Sequence, residues 1–337
     1  MLKKCFLGFL LFVLVAFSYG VSDAALGIPD QVQSATLIVP LMEKGISTVH
    51  NTLTVVEDLC SGSHTVHWEI WNIDGTPVNL YGNVTFNGSW VSDFGSILAS
   101  ASPAQLALLT DGGFYRGFMT IDLVTASTNL LPTDVGYPFS PVNCLSGLTY
   151  YVRLLEGAAN GIPMIHIEGG LDAGIHSNAK GFYQMGDDRE EIDNHSRYYA
   201  YLTTNGLAVV DDPDNTLNYI ISRVYLTPPN GISRIVVWAW APAQLGTTAT
   251  PGSVGGPFAY QHFDEAGSLV LNTNVNLNHI VNIINVSGTA NGWVWITNIP
   301  ENFDVYAFSF NSATYTENPA LTWEAMFEST ILPEWLP

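Results

Sequence analysis

Along most of this chain apolar and polar residues alternate one by one, and that alternation predicts strands. The clearest stretch runs from Cys144 to Gly170. In its first arm Leu148, Tyr150, Val152 and Leu154 stand against Thr149, Tyr151, Arg153 and Leu155; in its second, Ile165 and Ile167 stand against Met164, His166 and Glu168. A period of two marks a pleated strand with two unlike faces, so the stretch predicts a hairpin. Its loop falls between Glu156 and Gly161, where Asn160-Gly161 tolerates positive φ.

The same pattern predicts strands at Ala35 to Met42, Gly45 to Leu59, His64 to Ile73, Val78 to Phe86, Trp90 to Leu98 and Gly117 to Val124. Asp74-Gly75 and Asn87-Gly88 mark turns. One short helix interrupts them: Ser102 is placed to cap it, Pro103 suits its first turn, Leu109 ends it, and Gly112-Gly113 follow. Between Gly169 and His195 the apolar period disappears and charges gather. Strands then resume at Arg197 to Thr203, Asn218 to Leu226, Ile232 to Ala241, Ser268 to Leu271, Leu277 to Val286, Trp293 to Ile299 and Asp304 to Phe310. Short strands evenly spaced by turn residues predict an all-β chain. The expected architecture is two tandem antiparallel β-sandwich domains, jelly-roll or Ig-like, with few short helices. They span residues 25–170 and 196–337, and residues 171–195 form a linker or a long acidic loop.

The first residues change the picture of where this chain works. Lys3 and Lys4 precede an apolar run from Cys5 to Phe17, and small residues follow at Ser18, Gly20, Ser22 and Ala24. This is the pattern of a secretory signal peptide, residues 1–24, and predicts a protein that is secreted or held at a bacterial cell surface. Of three cysteines, Cys60 and Cys144 lie beyond that segment. An even pair in an oxidising compartment predicts a disulfide. It closes a loop of about 85 residues, which stabilises by about 4 kcal/mol at most.

Ten basic residues face 30 acidic ones, a formal net charge of −20. Such a field repels phosphate backbones and anionic lipid, which argues against nucleic acid partners and membrane insertion.

Candidate chemistry is sparse. His67 with Glu69, and His166 with Glu168, each stand two apart on a predicted strand, so each pair shares a face. Repetition of the pairing predicts a solvent-facing polar surface, and no catalytic residue is assigned. No histidine or cysteine spacing predicts a transition metal. Calcium is the one cofactor with candidate ligands: Asp187, Asp188 and Asp193 in one stretch, and Asp211, Asp212 and Asp214 in another, gather oxygen donors as a hard cation requires. A solvated acidic turn accounts for the same residues. Trp238 with Trp240, and Trp293 with Trp295, set two indoles on one side of a strand, and Trp71 adds a further ring. Exposed, these rings would stack on sugars; inward, they would fill a core.

The segments Ala35 to Pro40, Asn143 to Gly147 leading into Asn160 to Gly169, and Phe263 to Glu265 resemble a loose group of uncharacterised secreted all-β proteins from Gram-negative bacteria. That resemblance implies an exported β-protein and carries no activity. Three functions remain open. The first is a non-enzymatic structural or adhesive component, with the chain itself as partner through strand donation from Ala35 to Met42. The second is a pair of modules binding extracellular glycan. The third is a secreted polysaccharide hydrolase using Asp264 and Glu265, or Glu168.

Overall fold

The computed structural model describes residues 33–132, 136–153, 158–167, 217–226, 232–240, 255–286, 290–300, 304–314, 322–328 and 330–333. The chain is all-β, built from antiparallel sheets with two short helices among the described residues.

The first half comprises β1 (Thr36–Gly45), β2 (His50–Asp58), β3 (His64–Asn72), β4 (Pro77–Phe86), β5 (Ser89–Asp93), α1 (Phe94–Leu98), α2 (Pro103–Leu109), β6 (Thr110–Asp111), β7 (Phe114–Val124), β8 (Leu145–Arg153), β9 (Ala158–Pro163) and β10 (Ile165–Ile167). These strands form sheet I, ordered β10-β1-β7-β3-β4 with β6 on β7, and sheet II, ordered β5-β2-β8-β9. The second half comprises β11 (Leu217–Val224), β12 (Ile232–Trp240), β13 (Gly255–Asp264), β14 (Leu269–Leu277), β15 (Val281–Asn285), β16 (Gly292–Pro300), β17 (Asp304–Thr314), β18 (Thr322–Glu328) and β19 (Thr330–Pro333). They form sheet III, β15-β12-β17-β18, and sheet IV, β14-β13-β16-β11-β19.

Three apolar clusters join these sheets. Leu37, Val39, Ile70, Met119 and Ile121 of sheet I meet Val56 and Leu145 of sheet II. The opposite face of sheet I, with Ile38, Leu41, Trp71 and Phe118, packs on Val236, Trp238, Phe308 and Phe310 of sheet III. The other face of sheet III, with Ile235, Val237 and Ala307, meets Ile220, Tyr260, Val294 and Ile296 of sheet IV. Sheets I and III are therefore buried on both faces. Their central strands show it in composition: β1 and β12 carry almost unbroken apolar runs, as a strand covered on both sides must. Residues 25–170 and 196–337 were expected as separate units, and the cluster around Trp71 and Trp238 is common to both.

The helix α2 forms where its caps are. Ser102 Oγ accepts from Gln105 N at 3.3 Å, and Gln105 Oε1 accepts from Ser102 N at 2.8 Å, a reciprocal capping box. The predicted strand from Trp90 to Leu98 is corrected. It stops at Asp93, whose carboxylate caps α1 through Ser96 N at 2.8 Å, while Phe94 and Leu98, four apart, turn inward together.

The predicted hairpin from Cys144 to Gly170 is corrected in two places. Asn160 and Gly161 are not in its loop, because they pair with Tyr151 and Tyr150 inside β9. The second arm also divides at Met164: β9 stays on β8, whereas β10 crosses to β1. The disulfide Cys60–Cys144 is present, with Cα atoms 5.2 Å apart. No helix among the described residues is long and apolar enough to cross a membrane.

Candidate functional site

The outer face of sheet IV carries the exposed indoles found among the described residues. Alternation along β16 sends Val294 and Ile296 into the core and leaves Trp293 and Trp295 outside, 36% and 39% exposed. Register then assembles their neighbours. Trp293 lies opposite Phe263 on β13 and Arg223 on β11, and Trp295 lies opposite Gln261 and Ile221. The ring of Phe263 sits 5.4 Å from that of Trp295. The guanidinium of Arg223 lies 4.8 Å from the ring centres of both Trp293 and Tyr225, and it is ion-paired with Glu265. Beyond β13, Asn272 and Asn274 of β14 stand opposite Gln261 and Ala259, so amides border the rings.

Two partly exposed indoles beside a phenyl ring offer flat apolar area, and the neighbouring amides offer hydrogen bonds of both senses. That combination suits a ligand with an apolar face and a rim of hydroxyls, which describes a pyranose ring.

Trp71 and Trp238 are corrected as stacking residues, being 1% exposed each. Both rings serve the core between sheets I and III: Trp71 stacks on Phe118 at 6.1 Å, and Trp238 meets Phe118 edge-on at 6.3 Å. Trp240 closes β12, and its side chain lies outside the described residues. Asp187, Asp188, Asp193, Asp211, Asp212 and Asp214 lie there as well, as does Glu168. Asp264 and Glu265 hold the turn after β13: Asp264 Oδ1 accepts from Ala266 N and Ser268 N, and Glu265 takes Arg223.

A second polar group emerges where solvent was expected. His67 and Glu69 are 1% and 0% exposed, so their face of β3 is covered. Opposite His67 on β7 stands Asp122, which accepts from Thr36 Oγ1 at 2.5 Å and from Tyr137 Oη at 2.9 Å. Burial pushes the Asp122 carboxyl up to about 6, against the pull of those two hydrogen bonds. Burial likewise holds His67 below its ordinary value, and it raises Tyr137, with the Asp122 charge adding to the effect. The cover comes from the connection between β7 and β8. Thr128 exchanges hydrogen bonds with the Asn83 amide at 2.7 and 3.0 Å, and the Tyr137 ring sits 5.6 Å from that of His67. His166 is 1% exposed too, with Nε2 3.4 Å from Gly147 N. An acid/base group sealed from water on every side has no route to a substrate.

Asp58, His64 and Cys144 also converge, with ligand atoms within 4.8 Å. The Cys144 sulfur is bonded to Cys60 and offers no thiolate to a metal.

Sequence reasoning passed over Arg223, Gln261 and the Asp122 cluster. Register alone brings the first two to the indoles, and register cannot be read from one strand at a time. Comparison of the chain with protein-family models, with curated proteins and with solved structures finds no match.

Proposed function

We propose that this is an exported, non-enzymatic β-protein that acts through its surface as an adhesive or structural component, binding neutral extracellular polysaccharide on the outer face of sheet IV. The observation that carries the reading is the exposure of Trp293 and Trp295 side by side, next to Phe263 and the Gln261 and Asn272 amides. Export is supported by the basic and apolar leader pattern and by the Cys60–Cys144 bridge. A net charge of −20 disfavours acidic glycans as ligands. Against the hydrolase reading, Asp264 and Glu265 are committed to a turn and an ion pair.

The test is retention of the purified protein on insoluble neutral polysaccharides. Trp293→Ala and Trp295→Ala should each abolish retention while leaving the far-UV spectrum unchanged and lowering stability by about 1 kcal/mol or less, since both rings lie outside the core. Failure of the unaltered protein to bind any neutral glycan refutes the reading.

A further inference from the structure

A sheet edge is an open row of backbone donors and acceptors, and proteins blunt such edges with charge, proline, shortness or cover. Every other described edge of this molecule is blunted. In sheet I, β10 has three residues, while β4 begins at Pro77, has Asn79 at φ 56° and is met by α2 through Gln105 Nε2 to Asn79 O at 2.6 Å. In sheet II, β5 has five residues and runs straight into α1, and β9 lies alongside β18 of sheet III. In sheet III, β15 has five residues; in sheet IV, β19 has four.

The remaining edge is β14. Its nine residues, LVLNTNVNL, include no charge and no proline, and six of them are exposed. Leu269 is 51% exposed and Val270 41%. Among the described residues no strand pairs with its far side.

We propose that β14 is a self-association edge, on which a second copy of this chain docks its own β14 antiparallel about a two-fold axis at Thr273. The sequence fits itself in that register. Thr273 meets its counterpart, Asn272 meets Asn274, and half-buried Leu271 meets half-buried Val275, so each residue faces one of like chemistry. Leu271 and Val275 already pack against the core between sheets III and IV, so the second copy extends that apolar layer. The arrangement also suits a chain of high negative charge. Antiparallel docking sets the two acidic turns at Asp264 and Glu265 at opposite ends of the paired strands, about 25–30 Å apart, well beyond the screening length of roughly 8 Å. The bulge opposite His262 and Phe263 ends the straight part of β14 near Val270, which with the axis at Thr273 fixes Leu271 to Val275 as the straight paired length. Directly opposed residues share a face, so the indole platforms of the two copies would look the same way. The pairing holds whatever those platforms bind.

Sedimentation velocity over a concentration series tests it, using the unaltered protein and two variants at the exposed Thr273. The unaltered protein should dimerise. Thr273→Lys sets two ammonium groups across the axis and should weaken the dimer about tenfold or more. Thr273→Cys should give a covalent dimer on mild oxidation, a readout that stands even if the lysine variant folds poorly. A monomer at the highest attainable concentration, a dimer untouched by Thr273→Lys, or no cross-link in Thr273→Cys each overturns the proposal.

Discussion

Glu43 and Arg234, 191 residues apart, form a two-pronged ion pair: Oε1 accepts from Nη2 at 2.7 Å and Oε2 from Nη1 at 2.9 Å. Arg116 Nε adds a bond to Oε2 at 2.7 Å, and His50 Nε2 lies 3.2 Å from Oε1. The pair ties β1 of sheet I to β12 of sheet III, and Arg234 covers the Phe310 ring at 4.6 Å. Removing the carboxylate leaves two guanidinium groups facing each other in a dry site. Glu43→Gln should therefore cost about 3–5 kcal/mol, measured by urea unfolding at neutral pH.

Buried titratable groups should tie stability to pH in opposite directions. Burial pushes the Glu43 carboxyl up, but Arg234, His50 and Arg116 more than reverse this and hold it at about 2, below its ordinary 4.5. Its contribution is present above pH 4.5 and is lost as pH falls through about 2. Asp122 runs the other way, because burial raises it from 3.8 to about 6. Its contribution is present below pH 3.8 and is lost as pH rises through about 6. Buried His67 opposes Asp122, because burial holds it below its ordinary 6.5 and its contribution is lost as pH falls below that value. The groups facing Asp122 are Thr36, Tyr137 and His67. Asp122→Asn should raise stability at pH 7 relative to pH 5 when compared with the unaltered protein, followed by urea midpoints across that range.

The paired tryptophans should separate cleanly on truncation. Trp238→Ala removes a ring 1% exposed that meets Phe118, and should cost about 3–5 kcal/mol in a thermal or urea melt. Trp295→Ala, at 39% exposure, should shift the same melt by about 1 kcal/mol or less.

Reduction of Cys60–Cys144 should lower stability by about 2–4 kcal/mol, because the bridge closes a loop 84 residues long. The comparison is between the unaltered protein and a Cys60→Ser, Cys144→Ser double variant in denaturant.

Much of this fold was legible because local rules and tertiary packing agree in it. Ser102, Pro103 and Gln105 specify α2 within a few residues, and burial alternates along β2, β8 and β16. In β2 and β8, however, it is Thr52, Thr54, Thr149 and Tyr151 that are buried, while Leu148 on the more apolar face is 42% exposed. The failures share one cause. Alternation assigns polar residues to a face but does not say what covers that face. His67 and Glu69 therefore looked solvated, when Thr128 and Tyr137 lie over them from a distant connection. The two W-x-W pairs looked alike for the same reason. A distinguishing signal was present: β12 reads ISRIVVWAW, with no polar position after Arg234, whereas β16 reads GWVWITNIP and breaks its apolar run at Thr297 and Asn298. The break at Met164 was less accessible, because a strand that changes sheets keeps its period.

The tip of the β3–β4 turn reaches the start of β15. The carbonyl of Ile73 accepts from both Ile280 N at 2.9 Å and Val281 N at 3.0 Å, and a side chain at Gly75 would collide with Ile280. A backbone group of the first half thus initiates a ladder of the second, so neither half keeps its native ends once the other melts. Cleavage by a protease anywhere between residues 168 and 216 should leave the fragments clasped, and they should come apart only in the same step in which both lose their shape.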